Sequence, residues 1–540
     1  MRARAGPFGG LALASLLFLA QGLSLATRMV TWSDESAYVH LGYLATTGKI
    51  SLFQDEMTGS RMPLPFYVLG ISQVLLGRSL MAARLTSLAF GLLGLWLTAM
   101  LARQIAGNAA GLLAAFFLAT QGVVVGYFAT ATYHGLVASI LLGGLVLAVG
   151  PRSVSSRILG MATLSLLFFT RTNLWPVLPA ALAGLWVTSR TRAERLLLLP
   201  AAGLVPLAFF AWDRRHVKIL ANVPGLNRLT AKLGYPDPRG LGDLPPQELA
   251  DRLWAVVRFA RTYEFWMLAA VLLVAVAVVS RWRHADAPPV VDTQLLVLMG
   301  LLAYSTAWQV ELTWALPKAV VGYFPSLAPL LAVILGVGFV RALARVRERV
   351  WLRHATIAAL AAVLVAPIFI VRHSLLPSGP EAHIAPRAAL AAGADHLRRL
   401  IPPEARVFLW GDSLLLYLAE RRPYLRQIFS IQTMVESTDR ITIERSGLWG
   451  TPEMERWLGR EADVVVLEPV LIDRHRKSRP SQMARLEALL AEHFERIDRV
   501  TEYPWLVFDV YRRRGPAGRG RRRNCMRSPA AAGGRPEGRG

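Results

Sequence analysis

The sequence predicts a polytopic α-helical membrane protein carrying a small α/β domain after its last span. Three observations predict it. The 540 residues are 54% hydrophobic and only 18% charged, with a mean hydropathy of +0.39. The apolar residues fall in long runs rather than amphipathic stripes, which is the pattern of a chain whose solvent is lipid. After residue 375 the pattern changes to short apolar strands alternating with a helical period.

A spanning helix needs about 20 mostly apolar residues, which gives about eleven candidate spans. They lie near 8–27, 80–102, 109–128, 132–149, 157–170, 173–189, 196–212, 263–280, 293–312, 319–340 and 354–371. Arg171-Thr172-Asn173 interrupts the fifth and sixth, which could also be read as one segment. The first span has an Arg-containing start and the small residues Ser24-Leu25-Ala26 near its end. A cleaved signal peptide is therefore the alternative reading, against which its length argues.

Short-loop arginines set the orientation. Arg2, Arg4, Arg103, Arg152, Arg157, Arg190, Arg192, Arg195, Arg281, Arg283, Arg341, Arg345, Arg347 and Arg349 fall on one side under this count. The positive-inside rule makes that side cytoplasmic. The expectation is a multi-pass protein of the cell (plasma or inner) membrane, with its amino terminus inside and residues 375–511 outside.

Net charge is +24, yet residues 512–540 alone hold ten arginines against one acid, Glu537. The rest is largely loop arginine, so no nucleic-acid partner follows. That tail has almost no apolar content and is expected to be disordered. The single cysteine, Cys525, lies in it, which excludes an internal disulfide and a cysteine zinc site.

The domains are then 1–374 in the membrane, 375–511 as the outer α/β domain and 512–540 as the basic tail. Within 213–262, "PPQELADRLWAVVRFAR" reads as an amphipathic interfacial helix. In the outer domain "RVFLW" and "DVVVLE" read as buried strands, "SQMARLEALLAEHF" as a helix and "WLVFDVYRR" as a final strand.

The first outer loop holds the chemistry. Asp34 and Glu35 open "SDESAYVHLGYLA" at the start of a helix, where Ser33 can cap and the helix dipole favours acids. A second acidic pair, Asp55 and Glu56, comes some twenty residues later, followed by Arg61-Met62-Pro63, a short helix and the second span. "SDESAY", "RMPLPFYVLG", "LLGRSLMAARLTSLAFGLLG" and "LARQIAG", between Ser33 and Gly107, resemble the amino-terminal half of GT-C membrane glycosyltransferases. The likeness is greatest to the group of protein O-mannosyltransferases and lipid A aminoarabinose transferases. It continues weakly through "KAVVGYFPSLAPLLAVILG" at 318–336.

The resemblance implies inverting transfer of a sugar from a polyprenyl-phosphate donor to an acceptor at the outer face. The acceptor is an envelope lipid, a glycan or a protein. Asp34 matches the family's first acid, a general base for the acceptor's proton. Glu35 is its neighbour in the catalytic pair. Arg61 aligns with the lysine of the family's Lys-Pro-Pro signature, one proline being lost, and would stabilise the leaving phosphate. Where the family has a further acid at the fourth span, this chain has His134. A histidine there could orient the acceptor, coordinate a metal or simply end a helix; no cofactor is fixed, a divalent metal being the candidate.

Arg84, Arg171, Lys318 and Tyr323 lie at the outer boundary. Ionisable groups beside a span are costly unless paired or solvated. Arg84, Lys318 and Tyr323 are read as donor-phosphate ligands, and Arg171, His134, Asp55 and Glu56 as acceptor or metal ligands; cations anchoring span ends are the plain alternative.

Two rival readings remain. "WGDSLL" at 410–415 carries the Gly-Asp-Ser-Leu block of a class of serine esterases, but residues 375–511 contain no asparagine for its oxyanion site and "IDRHRK" has the wrong spacing for its base. A turn after a strand, with Asp412 and Ser413 capping a helix, is the plainer account. A non-catalytic scaffold or transporter for polyprenyl lipids is the other alternative.

Overall fold

The computed structural model describes residues 6–31, 33–52, 62–149, 153–212, 254, 257, 261–281, 292–313, 320–346, 349–369, 387–428, 449–504 and 506–515. Asp55, Glu56, Arg61 and Lys318 lie outside the described residues, as do most of the 213–262 loop and the tail beyond 515.

Among the described residues, each apolar segment read from the sequence contains helix. The amino-terminal half comprises α1 (Gly6–Arg28), α2 (Ser33–Thr46), α3 (Pro63–Leu76), α4 (Leu80–Ala119), α5 (Gly122–Phe128), α6 (His134–Val149), α7 (Val154–Ser165), α8 (Val177–Thr188) and α9 (Arg192–Trp212). Further helices cover Glu264–Arg281, Thr293–Thr313, Ala328–Arg345 and Val350–Phe369. Among the described residues four helices are long and apolar enough to cross a membrane: α1 over Gly9–Arg28, α4, Ala328–Arg345 and Val350–Pro367. Pro63–Leu76, His134–Val149 and Val177–Thr188 are shorter apolar helices.

The second and third expected spans join into the 40-residue α4. At 1.5 Å per residue a straight helix of that length would be about twice as long as a bilayer core is thick. It is not straight. Gly107, at φ +82°, breaks the helical backbone beside Ala106, and only glycine adopts that conformation at little cost. The expected third segment then ends in a second break at Thr120-Gln121, after which α5 begins.

Small residues let these helices approach closely. Along α4, Ala83, Ala99, Ala102, Ala110, Ala114 and Ala115 are buried. The helices α2 and α3 meet backbone to backbone: a Cβ on Gly42 would lie 2.4 Å from the Phe66 carbonyl oxygen, and one on Gly70 would lie 2.1 Å from that of Gly42.

Residues 387–515 build a four-stranded sheet of order β1-β2-β4-β3, from β1 (Val407–Trp410), β2 (Val464–Leu467), β3 (Phe494–Val500) and β4 (Phe508–Arg513). β1 and β2 are parallel, in register Val407 with Val464, and β2–β4 and β4–β3 are antiparallel. Each residue of β1 and β2 is buried, so both read as unbroken apolar runs. Alternate residues serve opposite faces. Phe408, Trp410, Val465 and Leu467 pack with Trp449, Trp457, Met483 and Leu486. Val407, Leu409, Val464 and Val466 pack in the cluster holding Leu397, Ile401, Leu414 and Leu416.

Three expected strands and the helix Pro480–His493 are present; β3, "FERIDRV", was not expected from the sequence. It is an edge strand, with a register shift between Arg496 and Asp498, and Glu495, Arg496 and Arg499 are exposed on it. Arg499 ties it to β4 through two hydrogen bonds to Asp509, at 2.6 and 2.9 Å.

Candidate active site at the start of α2

The first turn of α2 sends three neighbouring side chains to three different places. Successive helical residues lie about 100° apart, so Asp34, Glu35 and Ser36 cannot share a face.

Glu35 points inward and is fully buried. Arg84 of α4 donates from Nε to Oε1 at 2.8 Å and from Nη2 to Oε2 at 2.7 Å, and the Ala131 N–H donates to Oε1 at 2.7 Å. The remaining guanidinium N–H groups donate to the carbonyls of Ala26, Met29 and Val30. All five donors of Arg84 are thus satisfied within the chain. Arg84, expected as a donor-phosphate ligand, has no N–H left for a phosphate, and Glu35, expected in the catalytic pair, has no solvent-facing oxygen. Together they tie the end of α1 to α2, α4 and the loop before α6.

Asp34 points elsewhere. Its side chain is 29% exposed, and Arg171 Nη1 lies 3.9 Å from its Oδ2. Arg171 itself is nearly buried. Its guanidinium lies 4.6 Å from the ring centre of Tyr133 and 4.8 Å from that of Tyr323, and Nη2 donates to the Tyr323 hydroxyl at 3.2 Å. Two aromatic faces replace the water that a buried cation loses.

His134 lies against Tyr133 and Tyr127, with ring centres 4.1 and 5.0 Å away, and its Nδ1 is 2.9 Å from Ser326 Oγ. Tyr323 ends the short helix Val320–Tyr323 and Ser326 the 3-10 turn Phe324–Ser326, both just before the helix Ala328–Arg345. Of the expected site residues, Asp34, Arg171, Tyr323 and His134 therefore converge. The Met62 N–H reaches the Thr170 carbonyl at 3.4 Å, which brings the start of α3 beside Arg171.

Among the described residues no three His, Cys, Asp or Glu side chains are grouped to hold a metal. His134 has Nδ1 on Ser326 Oγ and its ring against Tyr133 and Tyr127.

Ser36 points to the sheet domain. Its hydroxyl donates to Asp412 Oδ2 at 2.6 Å, and one helical turn on, His40 Nδ1 lies 3.2 Å from Ser413 Oγ. Asp412 Oδ1 also accepts from the Leu414 N–H at 2.8 Å, as a turn acid does. The expected capping role thus falls to Asp412, while Ser413 makes no side-chain cap. Ser413 is fully buried and His40 nearly so. The Gly-Asp-Ser-Leu block thus forms a buried turn docked on α2.

Burial raises Asp412 to about 6, and burial, then the adjacent Asp412, raise Glu468 to about 7. Burial, then the Arg78 and Arg422 cations, lower His40 to about 3. More of the joint comes from Tyr417, whose hydroxyl donates to Gln73 Oε1 at 3.0 Å and whose carbonyl accepts from Arg78 at 2.7 Å.

Sequence reasoning missed Tyr133, Ser326, Ser36, His40 and Asn173. Ser36 and His40 carry the one readable signal, two polar residues spaced i, i+4 and so on one face of α2. Asn173, two residues from Arg171, is buried with both amide atoms unpartnered.

No protein-family model and no curated protein matches the chain. Solved structures similar to it include an oligosaccharyltransferase and ArnT. The Archaeoglobus fulgidus oligosaccharyltransferase, tethered with an acceptor peptide containing the NVT sequon, is 12% identical over 95% of this chain and 74% of that one, at a TM-score of 0.49. The same organism's AglB, in complex with an inhibitory peptide and a dolichol-phosphate, is 13% identical over 91% and 72%, at 0.45. ArnT from Cupriavidus metallidurans bound to undecaprenyl phosphate is 14% identical over 94% and 98%, at 0.41. Identities and scores this low decide neither mechanism nor substrate.

Proposed function

We propose that this protein transfers a sugar from a polyprenyl-phosphate donor to an acceptor at the outer face of the membrane, with Asp34 as general base. The observation that carries the reading is the separation of the two adjacent acids. Glu35 is fixed in a saturated, buried ion pair, whereas Asp34 stays partly open beside a cation that is held by aromatic faces. The resemblance of Ser33–Gly107 to GT-C enzymes supports the same residue.

In this reading the acceptor's O–H or N–H gives its proton to the Asp34 carboxylate as the acceptor atom forms a bond to the anomeric carbon. The bond from that carbon to the phosphate oxygen breaks, and the polyprenyl phosphate leaves with the electron pair. Attack opposite the leaving group inverts the anomeric centre. Arg171 is a positioning residue that sets the Asp34 carboxylate. Arg61 immediately precedes Met62, whose N–H reaches Thr170, and is proposed to meet the leaving phosphate. Lys318 remains proposed as a second donor ligand, Tyr323 as the support of Arg171, and Asp55, Glu56 and His134 as acceptor contacts.

The test is transfer of radiolabelled sugar from synthetic polyprenyl-phosphate donors by the purified protein and by Asp34→Asn. Asparagine keeps the shape and caps a helix comparably, but it accepts no proton. Transfer should fall by about 100-fold or more. Near-normal transfer by the variant would remove Asp34 as base, and a wild type inactive with every donor would favour the scaffold reading.

A further inference from the structure

A cavity of about 220 Å³ lies where the end of α1 and the start of α4 meet the sheet domain's first helix, Arg387–Leu400. None of Asp34, Arg171, Tyr133, Tyr323 or His134 lines it. We propose that this cavity binds the phosphate headgroup of an anionic membrane phospholipid, which fastens the sheet domain to the membrane half.

Two cations line the space, Arg78 from the α3–α4 junction and Arg398 from the sheet domain. The Arg78 guanidinium is held 4.8 and 4.6 Å from the Tyr43 and Tyr417 ring centres, and its Nη2 donates to the Tyr417 carbonyl. Its Nη1 lies 3.8 Å from Glu420, beyond hydrogen-bonding distance, so that edge can still donate to an acceptor. Arg398 is half exposed, donates to the Leu418 carbonyl and pairs with Asp395, which also lines the cavity. Arg84 forms part of the wall as well, but its donors are satisfied and Glu35 balances its charge. The first turn of α4, capped by Ser79, adds the positive end of a helix.

The remaining wall is apolar, from Met81, Leu390 and Leu418. Leu16 and Leu23 of α1 and Leu85 and Trp96 of α4 continue from it as exposed apolar side chains, 64%, 44%, 40% and 46% exposed. A phosphate held by both arginines can thus lay its acyl chains along α1 and α4. Free phosphate would leave that apolar wall uncovered.

The full chain in detergent is tested by native mass spectrometry with phosphatidylglycerol, phosphatidylcholine and inorganic phosphate as probes. The wild type should retain phosphatidylglycerol over phosphatidylcholine. Arg398→Gln should weaken it about tenfold, the ordinary loss for one charge-assisted contact. Ala391→Trp, at an exposed position on the cavity wall, should abolish retention by filling the space. Asp34→Asn should bind as the wild type does, which separates this site from the proposed chemistry. Lipid retained equally by both cavity variants, or inorganic phosphate competing as well as the lipid, would overturn the proposal.

Discussion

Two ion pairs start from adjacent residues and end in different kinds of place. Glu35–Arg84 is a closed knot: two short contacts, every guanidinium N–H bonded, and side-chain exposures of 0% and 3%. Asp34–Arg171 is a loose one, at 3.9 Å, with an aromatic clamp on the cation and the carboxylate partly open. Burial is what separates them: Glu35 is 0% exposed and Asp34 29%. A carboxylate shut inside the protein can hold a fold together, while one that is partly open can meet a substrate and accept its proton.

The largest effect should come from breaking the closed knot. Arg84→Ala leaves Glu35 buried and uncompensated, which should cost about 3–5 kcal/mol of stability. Thermal unfolding of the detergent-solubilised protein measures it, and a near-unchanged Tm would remove the knot as a structural element. The loose pair should answer differently: Arg171→Gln should leave the fold in place but lower turnover by about 100-fold, since a shift of about 1 Å in a reacting group costs that much. Equal losses of Tm and turnover would make the two pairs alike.

A smaller effect sharpens the contrast at the third face of α2. Asp412 is raised from 3.8 to about 6 and Glu468 from 4.5 to about 7. For acids raised on folding, the native state binds more protons in that window. Their contribution is complete below the unfolded values and is lost as pH rises from about 4 to 7. His40, lowered from 6.5 to about 3, acts with the opposite sign over 3–6.5. Asp412→Asn removes one acid and keeps the histidine, so the variant should gain on the wild type by on the order of 1–3 kcal/mol between pH 4.5 and 7. Tm measured at both pH values checks this; a parallel pH response would exclude Asp412 as its source. The smallest effect is expected at Ser413→Ala, about 1 kcal/mol for one neutral hydrogen bond to His40 and no change in transfer.

How much of this was legible in the sequence depends on the range of the interaction. The apolar helices, β1, β2 and β4 follow from local runs, because lipid and a doubly covered sheet both demand them. β3 did not, since its charges come in adjacent pairs, Glu495-Arg496 and Asp498-Arg499, rather than in alternation, and its strand form comes from pairing with β4. Asp34 was legible as a candidate through motif and placement. That Glu35 belongs to Arg84, 49 residues away, and that Ser36 belongs to Asp412, 376 away, was not. Chain packing fixes those partners, and the local pattern of α2 shows only that three polar residues follow one another.

The central claim is that Asp34 carries chemistry while Glu35 carries structure, and the direct measurement sets Asp34→Asn beside Glu35→Gln with Tm and sugar-transfer turnover read on the same preparations. The account predicts a crossed result: Asp34→Asn keeps the wild-type Tm and loses about 100-fold or more in turnover, whereas Glu35→Gln loses several degrees in Tm and keeps more of its turnover. Full transfer by Asp34→Asn, or a turnover loss that simply follows Tm in both variants, would contradict it.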